Sequence, residues 1–199
     1  MTSKQMAKKI GNMFPTTFIL ENAIFSSRYE HVFSGFYIEK TRACINVYSL
    51  MFPAYDPLGV VHLLYSKKVG YVPLYEKECS FKNEDEAVRN ITGIVNNDKY
   101  LFDKTITLED FLFYMKNSPG LLENGYGMFI YGLTNCLLGN ADVCRDYLFK
   151  ALPFLNKNHE GFCDNAIKAL NVSPKDLNDL LSLNELTFKT KYKIPTALI

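Results

Sequence analysis

Few side chains in this sequence are suited to nucleophilic chemistry, because the chain contains only three histidines. His31 and His62 fall in predicted strands, and Cys44 falls in the predicted strand between them. A thiol becomes a catalytic nucleophile when a base contacts it, and neighbouring strands can bring two such residues together. Because histidines on half-buried strands are more often structural, we predict no catalytic residue and keep an enzyme with a Cys/His pocket as an alternative.

The carboxylates that cluster in the sequence are explained by helix starts. The run Glu84–Glu86 and the pair Glu109 and Asp110 stand where predicted helices begin. Acidic side chains at that end of a helix interact favourably with its dipole. We find no carboxylate that stands alone in an apolar setting, which is the environment that raises a pKa for catalysis. The carboxylates therefore predict no acid–base site.

Sulfur and imidazole ligands for a metal occur in the C-terminal half, as Cys136, Cys144, His159 and Cys163. His159 and Cys163 would share one face of a helix, but seven residues separate Cys136 from Cys144, unlike the spacing of zinc sites. The chain has five cysteines, an odd number, and no Cys-x-x-Cys, so we predict buried thiols and no metal. No strand precedes the glycine-rich run at residues 125–127, and no Gly-Lys-Ser/Thr loop occurs, so we predict no cofactor.

A group of tyrosines and lysines is the strongest candidate for a binding site. Its members are Tyr48, Tyr55, Tyr65, Lys67, Lys68, Tyr71 and Tyr75. On an exposed sheet face they would stack on bases or anchor a partner protein, whereas in a core they would pack across strands. The 22 basic and 21 acidic residues balance, which disfavours nucleic acid. We therefore predict a protein partner and keep a nucleic-acid binder that uses this sheet face as an alternative.

The composition is that of a folded chain. Hydrophobic residues make up 48% of it, and the 15 Phe and 13 Tyr offer a large core, which excludes a disordered protein. No apolar run has the length of a membrane span, and the N-terminal basic residues are not followed by the apolar stretch of a signal peptide. We expect a cytoplasmic protein that does not bind membranes.

These candidate residues are distributed over two regions with different patterns. After a short amphipathic helix at residues 3–14, stretches rich in aromatic and β-branched residues predict strands. The predicted strands are Thr16–Phe25, Tyr29–Glu39, Ala43–Phe52 and Val60–Ser66, with a short edge strand within residues 67–82. Because no helix-length crossover separates them, the sheet is expected to be mostly antiparallel.

Helical periodicity replaces this pattern from about residue 83. Thr107 predicts a capped helix start, residues 122–155 predict a helical hairpin, and Ser173-Pro174 opens a helix that runs to about Leu183. The tail from Thr187 is predicted to be an extended strand or a flexible end. The fold class is therefore α+β: a sheet-rich region 1–82 and a helical region 83–199, in a single compact unit 1–199.

The hairpin at residues 122–155 resembles one tetratricopeptide repeat unit. Gly132, Gly139, Cys144 and Ala151 stand at the spacing of the small residues in such a unit, and Gly139-Asn140 takes the place of its turn. The proline that usually ends the second helix is displaced, to Pro153. Because no second copy follows, we expect this hairpin to pack on its own domain and not to build an array.

In size and layout the chain resembles the small bacterial immunity proteins, which neutralise toxins delivered by competing cells. The segments that carry the resemblance are the run from Gly35-Phe36-Tyr37 to Pro53, the helix start at residues 107–110 and the Gly139-Asn140 hairpin. The resemblance implies a protein that inhibits one toxin through a preformed surface, and it assigns no role to an individual residue.

Overall fold

The structure, a computed structural model, describes residues 1–74 and 84–198. Within residues 1–74 there are five strands: β1 Thr17–Leu20, β2 Ala23–Ser26, β3 Val32–Lys40, β4 Cys44–Pro53 and β5 Ser66–Pro73. The helices are α1 Ser3–Gly11, α2 Glu84–Asn97, α3 Tyr100–Asp103, α4 Leu108–Asn117, α5 Gly125–Leu137, α6 Ala141–Ala151, α7 Lys157–Val172 and α8 Pro174–Tyr192. The predicted α+β class is confirmed: a leading helix and an antiparallel sheet precede a helical C-terminal half.

The sheet is an antiparallel meander with strand order β1-β2-β3-β4-β5, so consecutive strands are neighbours and β5 is an end strand. Two predicted strands were placed wrongly. Thr16–Phe25 is a hairpin of two strands, because Glu21 adopts a left-handed φ of 54° and reverses the chain. Val60–Ser66 contains a 3-10 turn at Leu63–Tyr65, and the strand follows it at 66–73. An apolar run alone does not distinguish a strand from another buried segment.

Contacts between residues divide the chain into two compact units. The first comprises Met1–Met51, Ser66–Ile106 and the tail from Ile194. Its core is formed by one sheet face and the helices α1, α2 and α3, as Ile10, Phe36, Val47, Ile91 and Phe102 show. Helices that follow residue 83 therefore belong with the sheet, and the change of sequence pattern does not mark the boundary of this unit. The single compact body predicted for 1–199 stays a prediction.

The second unit comprises Phe52–Tyr65 and Thr107–Lys193, and it contains α4 to α8. In the predicted hairpin of α5 and α6, a Cβ at Gly132 would lie 3.2 Å from the carbonyl oxygen of Cys144, so these helices cross closely. Gly139 makes the turn with φ 81°, a conformation that glycine adopts without strain. The resemblance of this hairpin to a tetratricopeptide unit stays a prediction.

Two helix starts, at Thr107 and Ser173, were predicted correctly from local capping residues. Thr107 Oγ1 accepts a hydrogen bond from Asp110 N at 3.1 Å, while Asp110 Oδ2 accepts one from Thr107 N at 3.2 Å, a complete capping box. Ser173 caps α8 in the same position by accepting from Asp176 N. Helix α8 runs to Tyr192, nine residues beyond the predicted end at Leu183, because no proline or glycine interrupts it before Pro195.

The tail after α8 belongs to the first unit. Leu198 N donates to Ser27 O at 2.8 Å, and the Tyr29 hydroxyl donates to the carbonyl oxygen of Pro195. Within residues 1–74 and 84–198, no helix combines the length and the apolar character that a bilayer crossing requires.

Candidate functional site

Four of the predicted binding residues lie on the last two strands of the sheet. Tyr48 is in β4, and Lys67, Lys68 and Tyr71 are in β5. The register pairs Tyr48 with Lys68 and Asn46 with Tyr71. A bulge between these two pairs adds one residue to β5. Both pairs therefore lie on the same face of the sheet, although Lys68 and Tyr71 are three residues apart and Asn46 and Tyr48 only two.

A carboxylate on the neighbouring strand holds this face together. Glu39 Oε2 accepts hydrogen bonds from Asn46 Nδ2 at 3.0 Å and from the Tyr48 hydroxyl at 3.1 Å. The alternating residues Ile45 and Val47 are fully buried in the core, so Glu39 lies on the opposite face. Burial, together with the bond to Glu39, raises the pKa of Tyr48 above that of a tyrosine in water.

Tyr71 is exposed, as are the neighbouring Lys67 and Lys68. Its side chain is 56% accessible, and the Lys68 amine lies 5.0 Å from the centre of its ring. We call Glu39, Tyr48, Lys68 and Tyr71 the tyrosine–lysine face. Lys67 is also exposed, but it is paired with Ser49, and alternation along the strand directs it to the other side of the sheet.

Tyr55 and Tyr65 are fully buried in the second unit and offer no surface to a partner. The Tyr55 hydroxyl is 2.7 Å from Thr134 Oγ1, and the Tyr65 ring packs edge-on against Phe111 with 5.5 Å between ring centres. Their positions in the sequence, close to the exposed Tyr71, did not predict that they would be buried. Tyr75 lies outside the described residues.

The second unit contains a fully buried carboxylate that the sequence analysis missed. Asp56 Oδ2 is 2.9 Å from His62 Nε2 and 3.5 Å from the Tyr65 hydroxyl. Its Oδ1 accepts from the Tyr126 hydroxyl at 2.5 Å and from Leu58 N at 2.9 Å. The position of Asp56 in a turn, between Tyr55 and Pro57, did not indicate burial.

Two of the three histidines pack around the same tyrosine. The rings of His62 and His159 lie 6.0 and 4.7 Å from the ring of Tyr126. The His62 side chain keeps 21% of its surface accessible, whereas that of Asp56 has none. A carboxylate that orients a histidine in this way can support general-base catalysis. Four hydrogen-bond donors also satisfy the carboxylate completely, so the arrangement is explained by stability alone.

Cys136 and Cys144 lie in hydrogen-bonding contact with each other in the second unit, and Cys163 is close enough to influence Cys144, whereas Cys44 belongs to the first unit. Cys44 Sγ is 3.3 Å from Asn46 Oδ1, and the partner of His62 is the carboxylate of Asp56. Cys163 Sγ donates to Leu148 O at 3.4 Å, and burial raises the pKa of Cys163 to about 12, so this thiol is protonated at neutral pH. Among the residues that the structure describes, no three His, Cys, Asp or Glu side chains are grouped as metal ligands.

No family model and no curated protein matches the sequence, and no solved structure matches the fold. Function therefore has to be inferred from the chemistry of the two residue groups above. The tyrosine–lysine face exposes side chains that suit binding, whereas the group around Asp56 is almost entirely enclosed.

The buried tyrosines of the second unit predict a loss of stability at alkaline pH. Burial raises the pKa of Tyr55, Tyr65 and Tyr126 above that of a tyrosine in water. Their contribution to folding is complete below pH about 10, the pKa in the unfolded chain, and it is lost as the pH rises further, because only the unfolded chain releases these protons. Each tyrosine adds a slope that grows from near zero at about pH 9 to about 1.4 kcal/mol per pH unit well above about pH 10, where the unfolded chain has lost the proton completely.

Urea unfolding between pH 9 and 11.5 measures this slope. Tyr55→Phe removes one of the three titrating hydroxyls. Well above about pH 10 it is expected to lower the slope of unfolding free energy against pH by about 1.4 kcal/mol per pH unit. The matched substitution Tyr71→Phe, at an exposed position, is expected to leave the slope unchanged. Equal slopes for Tyr55→Phe and the unmodified chain would contradict the prediction.

Proposed function

We propose that this protein is a protein-binding module and that the tyrosine–lysine face is its contact surface. The observation that carries the proposal is the exposure of Tyr71, which is 56% accessible while Lys68 lies over its ring. Tyrosine offers a large, rigid contact area at a low cost in conformational entropy, and it is enriched in the residues that dominate binding energy.

The charges of the face favour a protein partner over nucleic acid. It combines one carboxylate, Glu39, with one amine, Lys68, and the whole chain carries a formal charge of +1. Binding to a phosphate backbone depends on an excess of cations that displaces counterions. A mixed face instead suits a protein surface with one acidic group opposite Lys68 and one donor opposite Glu39.

The face is also fixed before a partner arrives. Glu39 holds Tyr48 and Asn46 through two hydrogen bonds, and the sheet register holds Tyr71 beside Asn46. Preorganised side chains lose little freedom on binding, which favours high affinity. This property agrees with the resemblance to immunity proteins, so we propose a cytoplasmic protein whose partner is a toxin. Its free cysteines suit a reducing compartment.

Site-specific photo-crosslinking tests the contact surface. A photoreactive phenylalanine analogue at position 71 is expected to capture one partner protein from extracts of the native host, at a stoichiometry that native mass spectrometry confirms. Tyr100 is the matched control, because it has the same exposure of 56% and lies on α3 of the same unit. Lys68→Glu is expected to reduce the crosslink at position 71 at least tenfold by placing like charges opposite each other. Equal yields at positions 71 and 100 would contradict the proposal.

A further inference from the structure

A cavity of about 170 Å³ lies in the second unit between α5, α7 and α8. Phe129 and Leu133 of α5 line it on one side and Leu181 of α8 on another, and all three are buried. Ala166 of α7 is buried at the same place. Because its side chain ends at Cβ, it leaves space that the larger neighbours do not fill. The cavity opens to solvent on the side of Asn165, which is exposed, and Asn184, which is half-buried, so a small molecule can enter it.

The polar side chains that line the cavity are two neutral amides. Asn165 projects from α7 and Asn184 from α8, and both line the cavity. Each amide offers donors and an acceptor, so together they can bind either kind of polar group on a ligand. None of the residues that line the cavity carries a charge. A charged ligand would therefore lose its hydration without gaining a counter-ion.

We propose that this cavity binds a small neutral ring compound with one hydrogen-bonding group, of the size of phenol or indole. An enclosed apolar cavity of about 150 Å³ is known to hold benzene, so by volume alone this open cavity of about 170 Å³ accommodates a single ring. The ring would contact Phe129, Leu133 and Ala166, and its polar group would bind Asn165 or Asn184. With seven to nine non-hydrogen atoms such a ligand is expected to bind with a dissociation constant of about 1 mM.

Titration of the full-length chain, followed by two-dimensional amide NMR, tests the proposal with phenol, toluene and benzoate. Phenol is expected to cause saturable shifts in α5, α7 and α8, toluene to bind three- to tenfold more weakly, and benzoate not to bind. No saturable shift with phenol, or shifts confined to other elements, would overturn the site. Equal affinity for phenol and toluene would overturn the role of the amides, and binding of benzoate would overturn the preference for neutral ligands.

Variants separate the site from general effects on the fold. Ala166→Leu fills the cavity and is expected to weaken phenol binding at least tenfold, whereas Ala169→Leu, on the same helix but outside the cavity lining, is expected to leave it unchanged. Asn165→Ala and Asn184→Ala change exposed or half-buried positions that folding tolerates. Together these two substitutions are expected to remove the preference for phenol over toluene. A preference that survives both substitutions would overturn the contacts assigned to the amides. This test stands even if Ala166→Leu does not fold.

Discussion

The Asp56→Ala variant is expected to lose about 3–5 kcal/mol of unfolding free energy, because removing one member of a buried hydrogen-bonded group leaves the others unpaired. The carboxylate accepts from the Tyr126 hydroxyl and Leu58 N through one oxygen, and it contacts His62 and Tyr65 through the other. Tyr65 and Tyr126 are buried, so water does not replace the lost acceptor at either hydroxyl. Each unsatisfied buried donor costs about 1–3 kcal/mol.

Urea unfolding at pH 7 measures this loss, and two further variants show its origin. Asp56→Asn keeps the shape but places an amide donor against donors, so it is expected to destabilise the protein less than alanine does and more than a surface change. Asp146→Ala removes an exposed carboxylate that pairs with Lys150, and it is expected to change the stability by less than about 0.5 kcal/mol. A loss below 1 kcal/mol for Asp56→Ala would show that the carboxylate does not hold this group together.

A double-mutant cycle identifies the strongest contact of the carboxylate. Tyr126→Phe removes the hydroxyl that lies 2.5 Å from Asp56 Oδ1. If the two groups interact directly, the double variant is expected to lose less stability than the sum of the single losses, with a coupling of about 1–3 kcal/mol. Additive losses would assign the effect of Asp56→Ala to its other partners.

Sequence reasoning did not predict the role of Asp56, although two of its partners, His62 and Tyr65, lie within nine residues of it. The two prolines and the glycine of residues 53–59 predicted a turn, which is where a carboxylate is ordinarily solvated. Burial of Asp56 depends on Tyr126, 70 residues later, and on packing that no local pattern encodes. The burial of the tyrosines was not predictable for the same reason. Composition gives the number of tyrosines, but only tertiary packing decides that Tyr55 is buried and Tyr71 is exposed.

Where the sequence was informative, the information was local. The capping box at Thr107, the cap at Ser173 and the Gly139 turn each depend on a few adjacent residues, and all three lie where they were predicted. The fold class was predicted correctly from the change in hydrophobic periodicity near residue 83, because each half of the sequence shows its own periodicity without reference to the other. Errors arose where one continuous apolar run contains two elements, as at residues 16–25, which form a hairpin that turns at Glu21.

The Gly35→Ala variant is expected to lose about 3 kcal/mol or more, the second large effect, because strand β2 passes too close for a side chain. A Cβ at this position would lie 2.0 Å from the carbonyl oxygen of Ile24 and 2.9 Å from Cα of Phe25, both backbone atoms. Gly35 pairs with Phe25 in the sheet, so relief of this clash has to separate the two strands. That movement would also disturb Phe25 and Phe33, whose rings lie 5.6 Å apart.

The same substitution at Gly93 is the matched control, and its effect is expected to have the opposite sign. Gly93 lies inside α2, is exposed, and would place a new Cβ against nothing within 4 Å. Alanine there is expected to stabilise the protein by about 0.5–1 kcal/mol, because glycine is a poor helix former. Both positions belong to the first unit, so one unfolding transition reports both changes. If Gly35→Ala were as stable as the unmodified chain while Gly93→Ala gained stability, the close approach of β2 and β3 would be wrong, since only that contact distinguishes the two sites.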